Sequence, residues 1–337
     1  MVRIESMTFG YGKRPLFEGL DLNLEPGNVY GLLGLNGAGK TSLLKLMAGA
    51  LRPQGGSINA FGAEPWRRGV PFLADTIFVP EDPYFPALKP AAWLDRYAVF
   101  RPAFDRARFG ALSEEFALDA DKQLTKYSYG QRKKFALAAA LSSGARLVLL
   151  DEPTNGLDIP SKSQFRRALA MSVGEDGIIL VSTHQVRDLE RLIDPALIVH
   201  GGKVLFSLGA EEISGKLGAV HVSELGEGVV YAERDSVGYS ALVDLASFRA
   251  GEGAVAGAWG GRQAEVQAAD LELIFNAAIA APERLAAALA GRKLAPLGPN
   301  DLEALADAIG AAANASAEKS GAGFAGKAKN KIKEAAK

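Results

Sequence analysis

Three short runs of this chain carry residue types at spacings suited to handling phosphate. Gly34-Leu35-Asn36-Gly37-Ala38-Gly39-Lys40-Thr41, followed by Ser42, fits the pattern G-x-x-x-x-G-K-[ST]. Glycines let a backbone curl until its N–H groups point inward at phosphate oxygens. The run opens a helix, whose N-terminus favours anions. The pattern predicts that Lys40 reaches the β and γ phosphates of a nucleotide and that the Thr41 hydroxyl holds Mg2+. Further on, the apolar run Leu147 to Leu150 ends in Asp151-Glu152. In open parallel sheets, ligands sit off the carboxyl ends of strands. Asp151 is therefore expected to hold Mg2+, directly or through water. Glu152, one residue on, is the candidate general base for a water beyond the γ phosphate. Taken alone, the pair also reads as two solvated acids. The third run, Lys126 to Lys134, leads into the apolar helix Phe135 to Leu141. Ser128 suits an N-cap and Gly130 allows close backbone approach. By itself this segment reads better as an ordinary capped helix with a basic first turn than as a cradle. One nucleotide has little use for two cradles on one subunit, so as a cradle it would serve the nucleotide of another subunit.

These runs need a sheet to position them. Val2, Ile4 and Ser6 alternate with Arg3, Glu5 and Met7, and Leu20, Leu22 and Leu24 alternate with polar residues, so the opening reads as strands. Val29 to Leu33 reads as a buried strand before the glycine loop. Leu43, Leu44, Leu46 and Met47 face the core from the helix after it, and Gly49 and Pro53 end that region. From about residue 82 to 137 the pattern is helical. Leu147 to Leu150 and Ile178 to Val181 are unbroken apolar runs, as in parallel strands covered on both faces. Ala196 to Val199, Gly201-Gly202 and Lys203 to Phe206 predict a closing hairpin. No internal repeat appears.

Taken together and in order, the runs resemble the ATP-binding cassette (ABC) ATPases over about residues 1 to 213. Tyr127-Ser128-Tyr129-Gly130-Gln131 is similar to the family signature L-S-G-G-Q. Asp151 to Asp158 matches the second acidic motif and the loop after it. His184 falls at the switch histidine, with a core histidine as the alternative. Tyr11 lies where the family stacks an aromatic on adenine, with Phe9 nearby and a core role as the alternative for either. The resemblance implies an α/β fold: a P-loop NTPase core with a mixed sheet flanked by helices, an antiparallel β subdomain and an inserted helical subdomain at about 82–137. It implies that two copies pair head to tail around two ATPs. Each site would take Lys40, Thr41, Asp151, Glu152 and His184 from one copy and Ser128, Gly130 and Gln131 from the other, with Asp158 communicating across. Where the family has a glutamine that touches Mg2+ or the attacking water, this chain has Glu81, which as an oxygen donor can also ligate Mg2+. Tyr127 and Tyr129 replace the usual leucine and first glycine of the signature.

Composition narrows the setting. The 337 residues carry a net charge of −1, so no global basic field draws the chain to nucleic acid. Without cysteine there are no disulfides or thiolate metal sites. No run reaches the roughly 18 to 20 apolar residues that span a bilayer. For an ATPase of the resembling kind, this implies a separate integral membrane permease as partner, at the inner face of the cell membrane and docked on the helical subdomain by Tyr84, Phe85 and Trp93. Alternatively, these aromatics pack that subdomain. The stretch from Asp270 to Asn276 is similar to the end of cassettes that serve simple exporters, so export is the expected task. The alternative is a non-transport switch for an envelope complex. Residues 214–298 are expected to form an α+β accessory extension. Residues 299–337 are expected to be an Ala/Gly/Lys-rich tail, helical or disordered, whose Lys327, Lys329, Lys331 and Lys333 would face anionic lipid or RNA or be simply solvated.

Overall fold

The computed structural model describes residues 1–172, 174–186, 190, 192–234, 236–246, 265–297, 301, 304 and 305. The tail expected over 299–337, with its lysines, lies outside them apart from the last three. The chain divides into two compact units, one of Met1–Leu33 with Gly39–Val204, the other of Gly34–Ala38 with the residues from Leu205 on.

In the first unit, β1 (Val2–Tyr11) lies between β2 (Arg14–Leu24) and β4 (Gly55–Ala60) in an antiparallel sheet. The expected alternation along β1 fails at Ser6, which is exposed while Met7 is fully buried. Ser6 adopts a φ of 46°, and the register with β2 shifts between Ile4 and Met7. This is a bulge, and one extra residue moves the inward face along by one position.

The second sheet has the order β5 (Thr76–Val79), β6 (Leu147–Asp151), β7 (Ile178–Thr183), β3 (Asn28–Leu33), β8 (Ala196–His200), β9 (Lys203–Leu208). Its first five strands are paired in parallel. Every residue of β6 and β7 is buried, which is why their sequences are apolar without alternation. β9 follows a turn at Gly201 and Gly202 with φ of 59° and 80°, the positive values a two-residue hairpin turn requires. The helix α1 (Lys40–Met47) buries Leu43, Leu44, Leu46 and Met47.

After α2 (Val70–Asp75) and β5 the chain turns helical, through α3 (Pro90–Tyr97), α4 (Arg106–Glu115) and α5 (Tyr129–Leu141). The core of this region is aromatic. Phe135 of α5 is fully buried and meets Phe85, Trp93, Phe109 and Tyr127 edge-on, with centroids 4.9 to 6.2 Å apart. Phe85 is buried and Trp93 stacks on Tyr97 at 4.4 Å, so both pack the subdomain. Of the three aromatics considered for docking, only Tyr84 stands clear, 87% exposed. A sixth helix, α6 (Ile159–Ala170), follows β6.

The second unit holds α7 (Ala210–Lys216) and an antiparallel sheet ordered β11 (Val229–Arg234), β12 (Tyr239–Asp244), β10 (Leu217–Val222), β13 (Gln267–Ala268). Two helices follow, Leu271–Ala280, capped by Asp270, and Pro282–Leu289. Val220, Val222, Val229, Ala232, Ala241 and Val243 form an apolar cluster. The boundary expected after residue 213 falls inside α7, whereas the division between the units falls inside β9. Among the described residues no helix is long and apolar enough to cross a membrane.

Phe135→Ala is expected to destabilise the protein by about 3–5 kcal/mol, the usual cost of emptying a phenylalanine site in a core. Tyr84→Ala should shift stability by less than about 0.5 kcal/mol. Urea unfolding of both variants checks the pair.

Candidate active site

The parallel order β6-β7-β3 sets three strand ends side by side. Asp151 is level with Ser182, and Leu33 is level with Thr183. One predicted group leaves each end. From β3 the glycine loop leads to Lys40, the first residue of α1. In the loop, the Ala38 N–H donates to the Leu35 carbonyl at 3.1 Å, and Gly37 and Gly39 have φ of 84° and 101°. At Gly39 a Cβ would run into the ring of Phe17, so glycine answers both the conformation and the space. No side chain caps α1.

From β6 comes Asp151. One of its carboxylate oxygens accepts from the Thr41 hydroxyl at 2.8 Å, the other from the Ser182 hydroxyl at 2.6 Å. The next residue, Glu152, adopts a φ of 45°, sparsely populated outside glycine. Its N–H donates to both the carbonyl and the hydroxyl of Ser182 at 3.1 Å. Its carboxylate lies 2.9 Å from Nδ1 of His184, which leaves the end of β7, and 3.7 Å from Nζ of Lys40. The His184 N–H donates to the same carboxylate at 3.4 Å. Lys40 and Glu152 are both buried. Burial holds the Lys40 ammonium below the usual lysine range, and the neighbouring Glu152 and Asp151 oppose that shift.

Thr41 and Asp151 thus present adjacent oxygen donors, the ligand type a hard cation such as Mg2+ takes beside phosphate oxygens and water. Glu81 does not join them. It is exposed, and its Oε1 accepts from the Asn155 side-chain amide at 2.6 Å. Among the described residues, no three or more His, Cys, Asp or Glu gather as a cation cage.

Hydrogen bonds and ion pairs therefore gather Lys40, Thr41, Asp151, Glu152 and His184. Tyr11 is 55% exposed, edge-on to the buried Phe9, with its hydroxyl 3.0 Å from that of Ser42. The bonds of Ser128, Gln131 and Asp158 stay within their own helices. Ser128 and Gln131 form a reciprocal capping box at the start of α5. Asp158 caps α6 through the Ser161 N–H at 2.9 Å, and Ser161 holds its carboxyl below the usual range.

The two tyrosines of the third run have physical reasons. Tyr127 is buried and its hydroxyl donates to the Asp119 carbonyl at 2.6 Å, so it fills an apolar position with its polar end satisfied. The Tyr129 hydroxyl donates to the Glu81 carbonyl at 3.0 Å.

Two residues here were not singled out from sequence. Ser182 becomes meaningful only through the β6–β7 register. Lys133, taken as part of a basic first turn, is fully buried. Its signal is helical spacing, since it shares a stripe of α5 with Leu137 and Leu141. Burial pushes its ammonium down to about 8, against the pull of Glu81, Glu152, Asp151 and Asp82.

The family model for ABC transporters matches residues 17–155. The chain is 33% identical over 231 residues to the ABC transporter ATP-binding protein NatA of Bacillus subtilis (strain 168), covering 62% of this chain and 90% of that one. It is 37% identical over 183 residues to the cytochrome c biogenesis ATP-binding export protein CcmA of Novosphingobium aromaticivorans, covering 54% and 87%. It is 30% identical over 208 residues to the Nod factor export ATP-binding protein I of Paraburkholderia xenovorans (strain LB400), covering 60% and 68%. Among solved structures, the ATP binding subunit of an ABC transporter aligns with a TM-score of 0.59 at 24% identity, over 64% of this chain and 92% of that one. A dimeric ATP-binding cassette in a post-hydrolysis state, bound to ADP and phosphate, aligns with a TM-score of 0.55 at 21% identity, over 62% and 98%. These structural likenesses establish the fold.

Ser182→Ala leaves a buried carboxylate oxygen and the Glu152 N–H each one partner short. The expected cost is about 1–3 kcal/mol in urea unfolding.

Proposed function

The chain belongs to the family of ABC transporter ATP-binding proteins, and we propose that it powers a separate membrane permease in export by hydrolysing ATP at the Lys40–Glu152 site. One observation carries the hydrolytic part of this reading: the Glu152 carboxylate is lodged between Lys40 and His184, beside the Thr41–Asp151 pair.

In this reading the loop from Gly34 to Gly39 and the start of α1 receive the phosphates, and Lys40 balances charge on the β and γ groups. Thr41 and Asp151 would hold Mg2+, which when bound would supply charge neutralisation at the phosphates. Glu81, whose Oε1 accepts from the Asn155 amide, would offer a further oxygen toward the cation or the attacking water. Glu152 accepts a proton from water as the water oxygen bonds to the γ phosphorus. The bond from phosphorus to the bridging oxygen breaks, and ADP leaves with the electron pair. His184, hydrogen-bonded to Glu152, fixes the direction of that carboxylate. Tyr11, the exposed ring ahead of the loop, stacks on adenine.

A second copy completes each site. Ser128, Gly130 and Gln131 lie at the N-terminus of α5, where backbone N–H groups favour an anion. They would meet the ATP held by the partner, and Asp158 would lie at the joint between copies. The dimeric cassette of the same fold supports this arrangement. Export rather than import draws support from the relatives named for export. The chain would then sit at the inner face of the cell membrane through its permease.

Glu152→Gln removes the base but leaves the phosphate contacts. Mg-ATP turnover should fall by about 100-fold or more, ATP binding should persist, and an ATP-dependent dimer should accumulate in light scattering. Normal turnover by this variant would show that Glu152 is not the base.

A further inference from the structure

Lys133 is a lysine with no exposed surface, and among the described residues no carboxylate pairs with it. An ammonium carries three hydrogens. All three are used on uncharged oxygens: the backbone carbonyl of Glu152, the backbone carbonyl of Asn155 at 3.0 Å, and the hydroxyl of Tyr129 at 3.2 Å. Burying a cation is costly unless its hydrogen bonds are met, and here each is met at a defined place.

Those places are informative. Glu152 and Asn155 are the two ends of the turn that follows β6, closed by the Asn155 N–H on the Glu152 carbonyl at 3.2 Å. Glu152 carries the strained φ of 45°. A residue held in that region needs surrounding structure to fix it. Lys133 donates to the carbonyl of that residue. Tyr129 completes a ring of contacts: Lys133 to Tyr129, Tyr129 to the Glu81 carbonyl, the Glu81 carboxylate to the Asn155 amide, and the Asn155 carbonyl back to Lys133. The Tyr129 ring also covers Gly156, where a Cβ would collide with it, so the turn beyond Asn155 admits only glycine against this side chain.

We propose that Lys133 is a positioning residue for ATP hydrolysis, clamping the turn Glu152–Asn155 so that the Glu152 carboxylate stays aimed between His184 and Lys40. Tyr129, standing where the resembling signature carries a glycine, holds the clamp from the other side. The proposal rests on the reading of Glu152 as the base. Lys133 touches neither nucleotide nor water in this scheme. It acts through the peptide of Glu152, so its loss should degrade the chemical step and spare nucleotide binding.

The test compares the full-length wild type with Lys133→Met, which keeps the length and apolar volume but has no donor, and with Tyr129→Phe, which removes only the hydroxyl. Steady-state kcat and KM are measured for Mg-ATP, and the Kd of a non-hydrolysable ATP analogue is measured separately. For Lys133→Met the expected result is a kcat lowered about 10- to 100-fold, the scale of a small misplacement of a reacting group, with the Kd within about 3-fold of wild type. For Tyr129→Phe a smaller loss of kcat, about 2- to 5-fold, is expected with the Kd unchanged. A wild-type kcat in Lys133→Met, or a kcat and an affinity lost together, would overturn the proposal. Should Lys133→Met not fold, Tyr129→Phe decides: an unaltered kcat overturns the clamp. Glu152→Gln is assayed alongside. If it turns over normally, the base assignment falls and the clamp with it. If it is inactive while Lys133→Met is normal, only the clamp falls.

Discussion

Asp151 is held by two hydroxyls, Thr41 on one oxygen and Ser182 on the other. A buried carboxylate needs such partners, since water is not there to supply them. These two bonds join the start of α1, the end of β6 and the end of β7. The sheet dictates where they can occur. β6 and β7 are buried along their whole length, so polar groups find room only where the strands stop. The order β6-β7-β3 then puts three such stops next to each other. Glu152 inherits its place from this junction, because Ser182 also takes its N–H.

Much of this was legible in the sequence because the spacing of a few residues is rigidly tied to backbone geometry. Gly37 and Gly39 occupy positive φ, and Lys40 begins the helix that the pattern requires. The apolar runs before Asp151 and His184 are fully covered parallel strands, as their lack of alternation implied. What the sequence hid depends on register and on helix face. Ser6 and Met7 exchange roles through a single bulge, which no period of two can reveal. Ser182 gains meaning only opposite Asp151. Lys133 read as part of a basic first turn, yet of Arg132, Lys133 and Lys134 it alone is buried. For Phe85 and Trp93 the sequence left docking and packing open, and both surround Phe135.

The helix α5 links the aromatic core of the helical region to the turn after β6. Its first turn is closed by Ser128 and Gln131, its next turn carries Lys133 toward the acidic turn, and its middle inserts Phe135 among four rings. Packing of the helical region and placement of the Glu152 peptide therefore depend on one rigid element. A shift of α5 would be felt at both ends.

The burial of Lys133 also leaves a mark on the proton inventory of the protein. Its ammonium, ordinarily near 10.5, loses its proton at about 8 in the folded chain. Between these two values the unfolded chain binds one more proton at this residue than the folded one does. Stability must then rise with pH across that interval as far as this residue is concerned. Below about 8 the folded chain keeps the charge inside and carries the full desolvation cost. The fold is thus not at its most stable, at this residue, near neutral pH. A fully charged donor is retained there, at a cost that an apolar side chain of the same size would not incur.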